Sequence, residues 1–180
     1  MRHFCLITSI LLTILVLACS KDSTNTNEII TTEDLLVKNN EITGWVYGGE
    51  RWMANSITEL TTYINGLADV FQRYGFVEAA HQSYEGKIDN ENKKLQLTIY
   101  KQQNEESARD VYQDPDIGLG SAIQWENGAG SAAKYVRYGG FSQALVFYKG
   151  PYFVYLQIDY DTEESLIILK LFALNVDSKI

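Results

Sequence analysis

The chain has 180 residues, of which 46% are hydrophobic and 21% charged, and its formal net charge is −8. This length suits one domain with a real core, and the composition excludes a chain that is disordered throughout. An acidic surface repels phosphate backbones and the sequence has no basic run, so nucleic-acid binding is disfavoured.

The first nineteen residues carry the ordered features of a bacterial lipoprotein signal. Arg2 supplies a positive charge, and Phe4 to Leu17 form an apolar run that is short for a membrane span but suits a signal peptide. Ala18 and Cys19 follow, which resembles a lipobox whose cysteine is acylated and becomes the mature N-terminus. The alternatives are an ordinary signal peptide or a short membrane anchor, and the order of features favours lipidation at Cys19.

We therefore predict three regions. Residues 1–18 are a lipoprotein signal peptide, 19–40 are the lipidated cysteine and a flexible tether, and 41–180 are one globular domain. Leu35 to Val37 interrupt the polar tether as a short helix that docks on the domain. The location that follows is the cell envelope, with the lipid anchor in the outer membrane and the exposed side left open. Cys5 and Cys19 are the only cysteines, so the mature domain has no disulfide.

Ser56 to Phe76 is predicted to be one long core helix. Its apolar residues are spaced by three and four, which places them on one stripe: Ile57, Leu60, Ile64, Leu67, Phe71 and Tyr74. Ser56 and Glu59 form a capping box, and Gly75 takes the left-handed position after the helix.

Asn65 and Gly66 break the pattern inside this helix, since glycine costs about 1 kcal/mol relative to alanine there. The favoured explanation is close packing of Gly66 against the sheet. A kink or a binding notch, with the Asn65 amide and the Tyr63 hydroxyl available, are the alternatives.

Two strands follow, Val77 to Tyr84 and Leu95 to Tyr100, with a turn predicted at Glu85 and Gly86. His81 lies in the first strand. A histidine acts as a base only when a carboxylate orients it, and the sequence indicates none, so His81 is interpreted as a strand residue.

The second half of the domain continues with a helix from Asn104 to Gln113, capped by Asn104. A glycine-rich loop then runs from Asp114 to Gly130 around a short strand at Ser121–Trp125, and it is predicted to form one wall of any ligand site.

The last elements are a strand at Lys134–Tyr138 and a hairpin with its turn at Lys149 to Pro151. The hairpin strands are predicted at Ala144–Tyr148 and Tyr152–Ile158. A helix at Thr162–Asn175 ends the domain, and Asp161 with Glu164 is predicted to cap it. The neighbouring acids Asp159 and Glu163 are assigned to this helix start rather than to a Ca²⁺ site, because the loop lacks a turn glycine and further oxygen ligands.

These elements predict an α+β fold. It has a mainly antiparallel sheet of about five or six strands, with the long N-terminal and C-terminal helices packed on one face.

The segment from Tyr63 to Asp69 has the sequence YINGLAD, and Tyr74 to Phe76 have the sequence YGF. This resembles DUF6599, a bacterial and archaeal family of unknown function marked by a YINGAAE-like helix ending in YGF. The similarity extends over roughly residues 44–175, through the Asn-Glu-Glu-Ser-Ala helix and the late hairpin. Leu67 and Asp69 depart from the pattern, so any role of the family's glutamate would fall to a shorter side chain. The resemblance implies a fold and a location but no mechanism.

Three functions are compatible with these features. The first is a lipid-anchored envelope module that binds an unknown ligand or protein, with no cofactor and no metal. Its predicted surface combines the glycine-rich loop with a set of polar and aromatic residues: Tyr63, Asn65, Gly66, Asp69 and Trp125. The second is a hydrolase that uses Asp69 and an acid from residues 159–164. The third is a structural or assembly factor, for which a broad apolar patch is expected.

Overall fold

A seven-stranded antiparallel sheet forms the centre of the computed structural model, which describes residues 30–117 and 119–180. The spatial order is β1-β2-β3-β7-β6-β5-β4. The strands are β1 (Val46–Ala54), β2 (Phe76–Ile88), β3 (Glu91–Gln102), β4 (Ile123–Gln124), β5 (Ala132–Arg137), β6 (Gln143–Lys149) and β7 (Tyr152–Ile158). The predicted α+β class and antiparallel sheet are confirmed. The predicted strand number is too low, because β1, interpreted as an entry segment, pairs with β2 as a full edge strand.

Among the described residues, four helices cover the sheet: α1 (Ile57–Ile64), α2 (Ala68–Arg73), α3 (Glu105–Gln113) and α4 (Glu163–Asp177). They lie on both faces, so the predicted placement on one face is wrong. The reason is visible in β6, where Ala144 and Val146 are buried under α1–α3 while Leu145 and Phe147 are buried under α4. A strand that is apolar on both sides requires a layer on each face. None of the helices in the described ranges is long and apolar enough to cross a membrane.

The predicted single helix from Ser56 to Phe76 is instead two helices joined by a 3₁₀ turn at Asn65–Leu67. Asn65 has φ 51° and ψ −132°, which stops the α-helical hydrogen bonding. Gly66 is exposed, and a Cβ placed on it would have no neighbour within 4 Å. Packing against the sheet is therefore the wrong explanation for Gly66. The glycine lies in the 3₁₀ turn at which the predicted helix is kinked. Gly75 has φ 74° at the end of α2, as predicted.

The β2–β3 turn lies at Asp89 and Asn90, which both have positive φ, and not at Glu85 and Gly86 as predicted. Gly86 remains inside β2, where a Cβ would overlap the ring of Trp45. The glycine thus makes room for a buried indole and does not form a turn. By contrast, α3 with its Asn104 cap agrees with the prediction, since Asn104 Oδ1 accepts a hydrogen bond from the Ser107 N–H at 2.9 Å.

The face under α4 holds the larger core. Phe172 of α4 contacts Trp45 and Tyr84 edge-on, with ring centroids 5.7 and 4.9 Å apart. The segment before β1 closes this core, because Leu35 and Val37 are buried in it. Tyr84 donates its phenolic hydrogen bond to the Val37 carbonyl at 2.8 Å, which satisfies both buried polar groups. Residues 35–37 dock on the domain as predicted, but as a turn rather than a helix.

Candidate functional site

A cavity of about 350 Å³ lies between the α1–α2 pair, the sheet and the glycine-rich loop. We call it the aromatic cavity. The helical side contributes Ile64, Leu67 and Phe71, and the sheet contributes Tyr100, Phe153 and Tyr155. The loop and the rim contribute Asp116, Ile117, Leu119, Gly120 and Tyr138. The loop is therefore one wall of the cavity.

The floor of the aromatic cavity is built by strand register. Tyr100 of β3 lies directly opposite Phe153 of β7 in the antiparallel pair, and Tyr155 lies two residues further along β7. Phe71 of α2 stacks on Tyr100 with ring centroids 4.0 Å apart and an angle of 16° between the planes. These contacts fix the helix on the floor, so the aromatic rings have defined positions.

Asp114 joins the loop wall to the helical wall. Its carboxylate accepts hydrogen bonds from Tyr74 Oη at 2.9 Å and from Arg73 Nη1 at 3.3 Å, both at the end of α2. It also accepts the backbone N–H of Asp116 at 2.9 Å. Asp114 is almost fully buried, so a hydrogen-bonded carboxylate holds the start of the loop in place.

Two phenols of the cavity, Tyr100 and Tyr155, have raised pKa values. Burial raises the pKa of Tyr155 to about 12, with a smaller contribution from the nearby Tyr138. Burial also raises the pKa of Tyr100. Both hydroxyls therefore remain protonated and do not act as bases at neutral pH, and the Tyr155 hydroxyl donates a hydrogen bond to Gln157 Oε1 at 3.4 Å.

A second depression, of about 480 Å³, lies beside the edge strand β1 and is mixed in charge. Its walls include Glu33, which forms an ion pair with Arg51, and Ile30, the first described residue. The chain continues upstream from this wall outside the described range. We therefore place the candidate site in the aromatic cavity, which is enclosed by two helices, the sheet and a loop.

The predicted surface residues do not form one surface. Tyr63, Asn65, Gly66 and Asp69 lie on the α1–α2 pair beside the aromatic cavity, but its lining comes from their neighbours Ile64 and Leu67. Trp125 packs on the opposite core, where Lys170 Nζ of α4 lies 5.1 Å from its ring centroid. Cys19 lies outside the described residues.

Tyr100, Phe153 and Tyr155 are the site residues that sequence reasoning missed. Their signal is partial, since Phe153 and Tyr155 alternate along β7 but Tyr100 is the one aromatic residue of β3. The 12 tyrosines of the chain dilute that signal, because aromatic residues at half-buried strand positions are common.

His81 is buried on the same face of the sheet as the aromatic cavity. Its Nδ1 lies 2.9 Å from Thr98 Oγ1, and its ring stacks on Trp52 with centroids 5.0 Å apart. The structure also brings a carboxylate that the sequence did not indicate, since Glu50 Oε1 lies 3.8 Å from Nε2. Burial lowers the pKa of His81, while Glu50 opposes this shift. His81 is therefore a buried neutral imidazole.

We expect His81 to make the stability of the domain depend on pH. Its folded pKa lies below the unfolded value of 6.5, so the unfolded chain binds more protons in the window between them. The stabilising contribution is complete above that unfolded value and is lost as the pH falls through it, by at most about 1.4 kcal/mol per pH unit. Urea unfolding of the wild type and His81→Phe between about pH 8 and pH 5 measures the difference.

The free energy of unfolding is plotted against pH for the wild type and for His81→Phe. The difference between these two curves excludes the contribution of the carboxylates that both proteins share. Glu50→Gln is the matched variant, because loss of the carboxylate that raises the pKa of His81 is expected to steepen the wild-type slope. If the free energies of unfolding of wild type and His81→Phe depend on pH in the same way, His81 has the same pKa in the folded and unfolded chains.

The acids before α4 have structural roles. Thr162 and Ser165 form the capping box of α4, so the predicted pair of Asp161 and Glu164 is wrong. Asp161 instead accepts hydrogen bonds from the Gly140 N–H and from Gln143 Nε2, and these interactions hold its pKa at about 2. Within the described residues, no three histidine or acidic side chains come together as a set of metal ligands.

Comparison with known proteins found no matching family model, no matching curated protein and no matching solved structure. The resemblance to DUF6599 thus stays a prediction that rests on the YINGLAD and YGF segments.

Proposed function

We propose that the chain is a lipid-anchored module of the bacterial cell envelope that binds a small molecule in the aromatic cavity. One observation carries this proposal: a cavity of about 350 Å³ whose walls are aromatic and aliphatic side chains, with an aspartate at the loop side. Ligand pockets in proteins are typically concave, roughly 300 to 1,000 Å³ in volume, and mostly apolar with a few polar groups that fix orientation.

The location rests on the N-terminal sequence. Arg2, the apolar run, Ala18 and Cys19 stand in the order of a lipoprotein signal. Ile30, the first described residue, follows Cys19 by eleven positions, a length that spans at most about 40 Å when extended. Such a tether would keep the domain close to the membrane, and the ligand would come from the envelope.

A carboxylate-based hydrolase has less support. Glycoside chemistry requires two carboxyl groups separated by about 5 to 9.5 Å across a cleft. Among the described residues that line the aromatic cavity, Asp116 is the one acid. Asp161 is held by Gly140 and Gln143, and Arg137 bonds it further at 2.6 Å.

The outer face of α4 favours a structural or assembly role as a second candidate. Ile167, Leu171 and Leu174 are exposed there at helical spacing. Three side chains are far fewer than the roughly 20 to 30 residues per side of a specific protein interface. We therefore rank this role below ligand binding.

Two leucine-to-alanine variants test the proposed binding site. Leu67 is 48% exposed and lines the aromatic cavity, whereas Leu174 is 44% exposed on the opposite face of the molecule. For any small molecule found to bind in a ligand-observed NMR screen, Leu67→Ala is expected to weaken binding about tenfold, as two lost methylene contacts imply. Leu174→Ala is expected to leave the affinity unchanged.

Titration calorimetry with the strongest ligand gives the affinities of the three proteins. If both variants lose the same affinity, or if neither variant changes the affinity, the ligand binds outside the aromatic cavity. A screen in which no compound binds the wild type would reject the proposed function.

A further inference from the structure

The aromatic cavity has the walls of a site for an organic cation. Five of its lining residues are aromatic: Phe71, Tyr100, Tyr138, Phe153 and Tyr155. Aromatic faces carry negative charge density and attract ammonium groups, and recognition of quaternary ammonium ligands by aromatic cages is the recurring functional case. The described lining includes a carboxylate, Asp116, and neither lysine nor arginine.

Other aromatic residues of the described structure have cations from the chain itself. Six such contacts occur, and their rings belong to Tyr74, Tyr112, Trp125, Tyr135, Tyr152 and Tyr160. Lys93 Nζ over Tyr160, at 3.8 Å from the centroid, is the closest. The five aromatic residues of the cavity appear in none of these contacts. In the part of the chain that the structure describes, the exposed Tyr138 and the half-buried Tyr155 are the rings open to a cation from outside, whereas the other three are buried and pack against one another.

The Asp116 carboxylate adds a negative charge at the mouth of the cavity. Its backbone N–H is bonded to Asp114, while its side chain takes part in none of the ion pairs among the described residues. The neighbouring Asp114 differs, because Arg73 already pairs with it at 3.3 Å. A formal net charge of −8 also raises the local concentration of cations around the molecule.

We infer that the aromatic cavity binds a small organic cation, a quaternary or alkylated ammonium compound, with its charge against the rings of Tyr138 and Tyr155 and the Asp116 carboxylate. This inference rests on the proposed function and specifies the ligand class of the same site. A neutral apolar ligand would leave the carboxylate unused, and an anion would meet both the carboxylate and the electron-rich ring faces.

The test compares two compounds of the same shape. Choline carries a trimethylammonium group, and neohexyl alcohol carries an uncharged tert-butyl group in its place. Both are titrated into the full chain, purified from membranes in octyl glucoside, and binding is followed by calorimetry. We expect choline to bind about tenfold more tightly, which is the size of effect that cation–π contacts and a nearby carboxylate produce.

Matched variants assign the preference to named residues. Asp116→Asn is expected to weaken choline binding about threefold, a modest effect because the side chain is exposed, and to leave neohexyl alcohol unaffected. Asp69→Asn removes the same charge from an exposed position on α2 outside the lining, and no change is expected. Tyr138→Leu is expected to weaken the binding of choline more than that of neohexyl alcohol. Tyr155→Phe retains the aromatic ring, so the affinity for choline is expected to be unchanged.

Each outcome decides the question. Tighter binding of choline that depends on Asp116 and Tyr138, and not on Asp69, supports the inference. Equal affinities for the two compounds would overturn it and leave the proposed function standing, since the cavity would still bind small molecules. Binding of neither compound would also overturn it, and the NMR screen with Leu67→Ala then decides the proposed function separately.

Discussion

Replacement of Phe172 by alanine is expected to lower the free energy of unfolding by about 3 to 5 kcal/mol. Phe172 has an exposed fraction of 0% and contacts both Trp45 and Tyr84 edge-on. Its ring therefore links α4, the segment before β1 and the sheet. The substitution removes the ring and leaves a cavity among residues that are held by three different elements.

Urea unfolding followed by tryptophan fluorescence measures this loss. Leu171→Ala is the control, because Leu171 is the preceding residue of α4 and is 46% exposed; a change below about 1 kcal/mol is expected. Phe172→Leu keeps most of the apolar volume and is expected to show an intermediate loss, which keeps the comparison possible should the alanine variant not fold. Similar losses for Phe172→Ala and Leu171→Ala would contradict the position of α4 on the sheet.

Replacement of Cys19 by alanine is expected to remove the acyl chains and to release the protein from the membrane fraction. Each buried methylene of an acyl chain contributes about 0.8 kcal/mol, and stable anchoring requires more than one chain. We therefore expect the variant to move completely from the membrane fraction to the soluble fraction. Intact-mass analysis of the membrane fraction shows whether the wild type carries acyl mass and whether the variant lacks it.

Cys5→Ala is the matched control, since Cys5 is the other cysteine of the chain and lies inside the predicted signal peptide. The acyl mass and the membrane location are expected to survive this change. A wild-type protein without acyl mass would reject lipidation, and the domain would then be secreted or held in the membrane by its apolar run.

The elements predicted correctly are those with a complete local signal. Asn104 three residues before Ser107 specifies the start of α3, and Gly150 with φ 49° allows the tight turn between β6 and β7. Gly75 at the end of α2 is a third example. In each case the residues that form the contact are within a few positions of one another, so the sequence contains the whole interaction.

The predictions that failed depend on distant residues. Gly86 has the signature of a turn, but Trp45, 41 positions earlier, lies where its side chain would be. The break at Asn65 is an exception, because positive φ at this residue is a local feature and a kink there is the alternative prediction. The continuous apolar run of β6 likewise shows that both faces are apolar but not which helix covers each face.

The sequence by itself therefore determined the acidic net charge, the antiparallel α+β class and most strands, because composition and short-range periodicity encode them, and it predicts the N-terminal signal. The tertiary structure decided the site. Pairing of β3 with β7 places Tyr100 against Phe153, which are 53 positions apart, and docking of α2 adds Phe71 to them. Such contacts arise from burial of apolar surface shared by whole elements, and this free energy is non-directional and has no local signature.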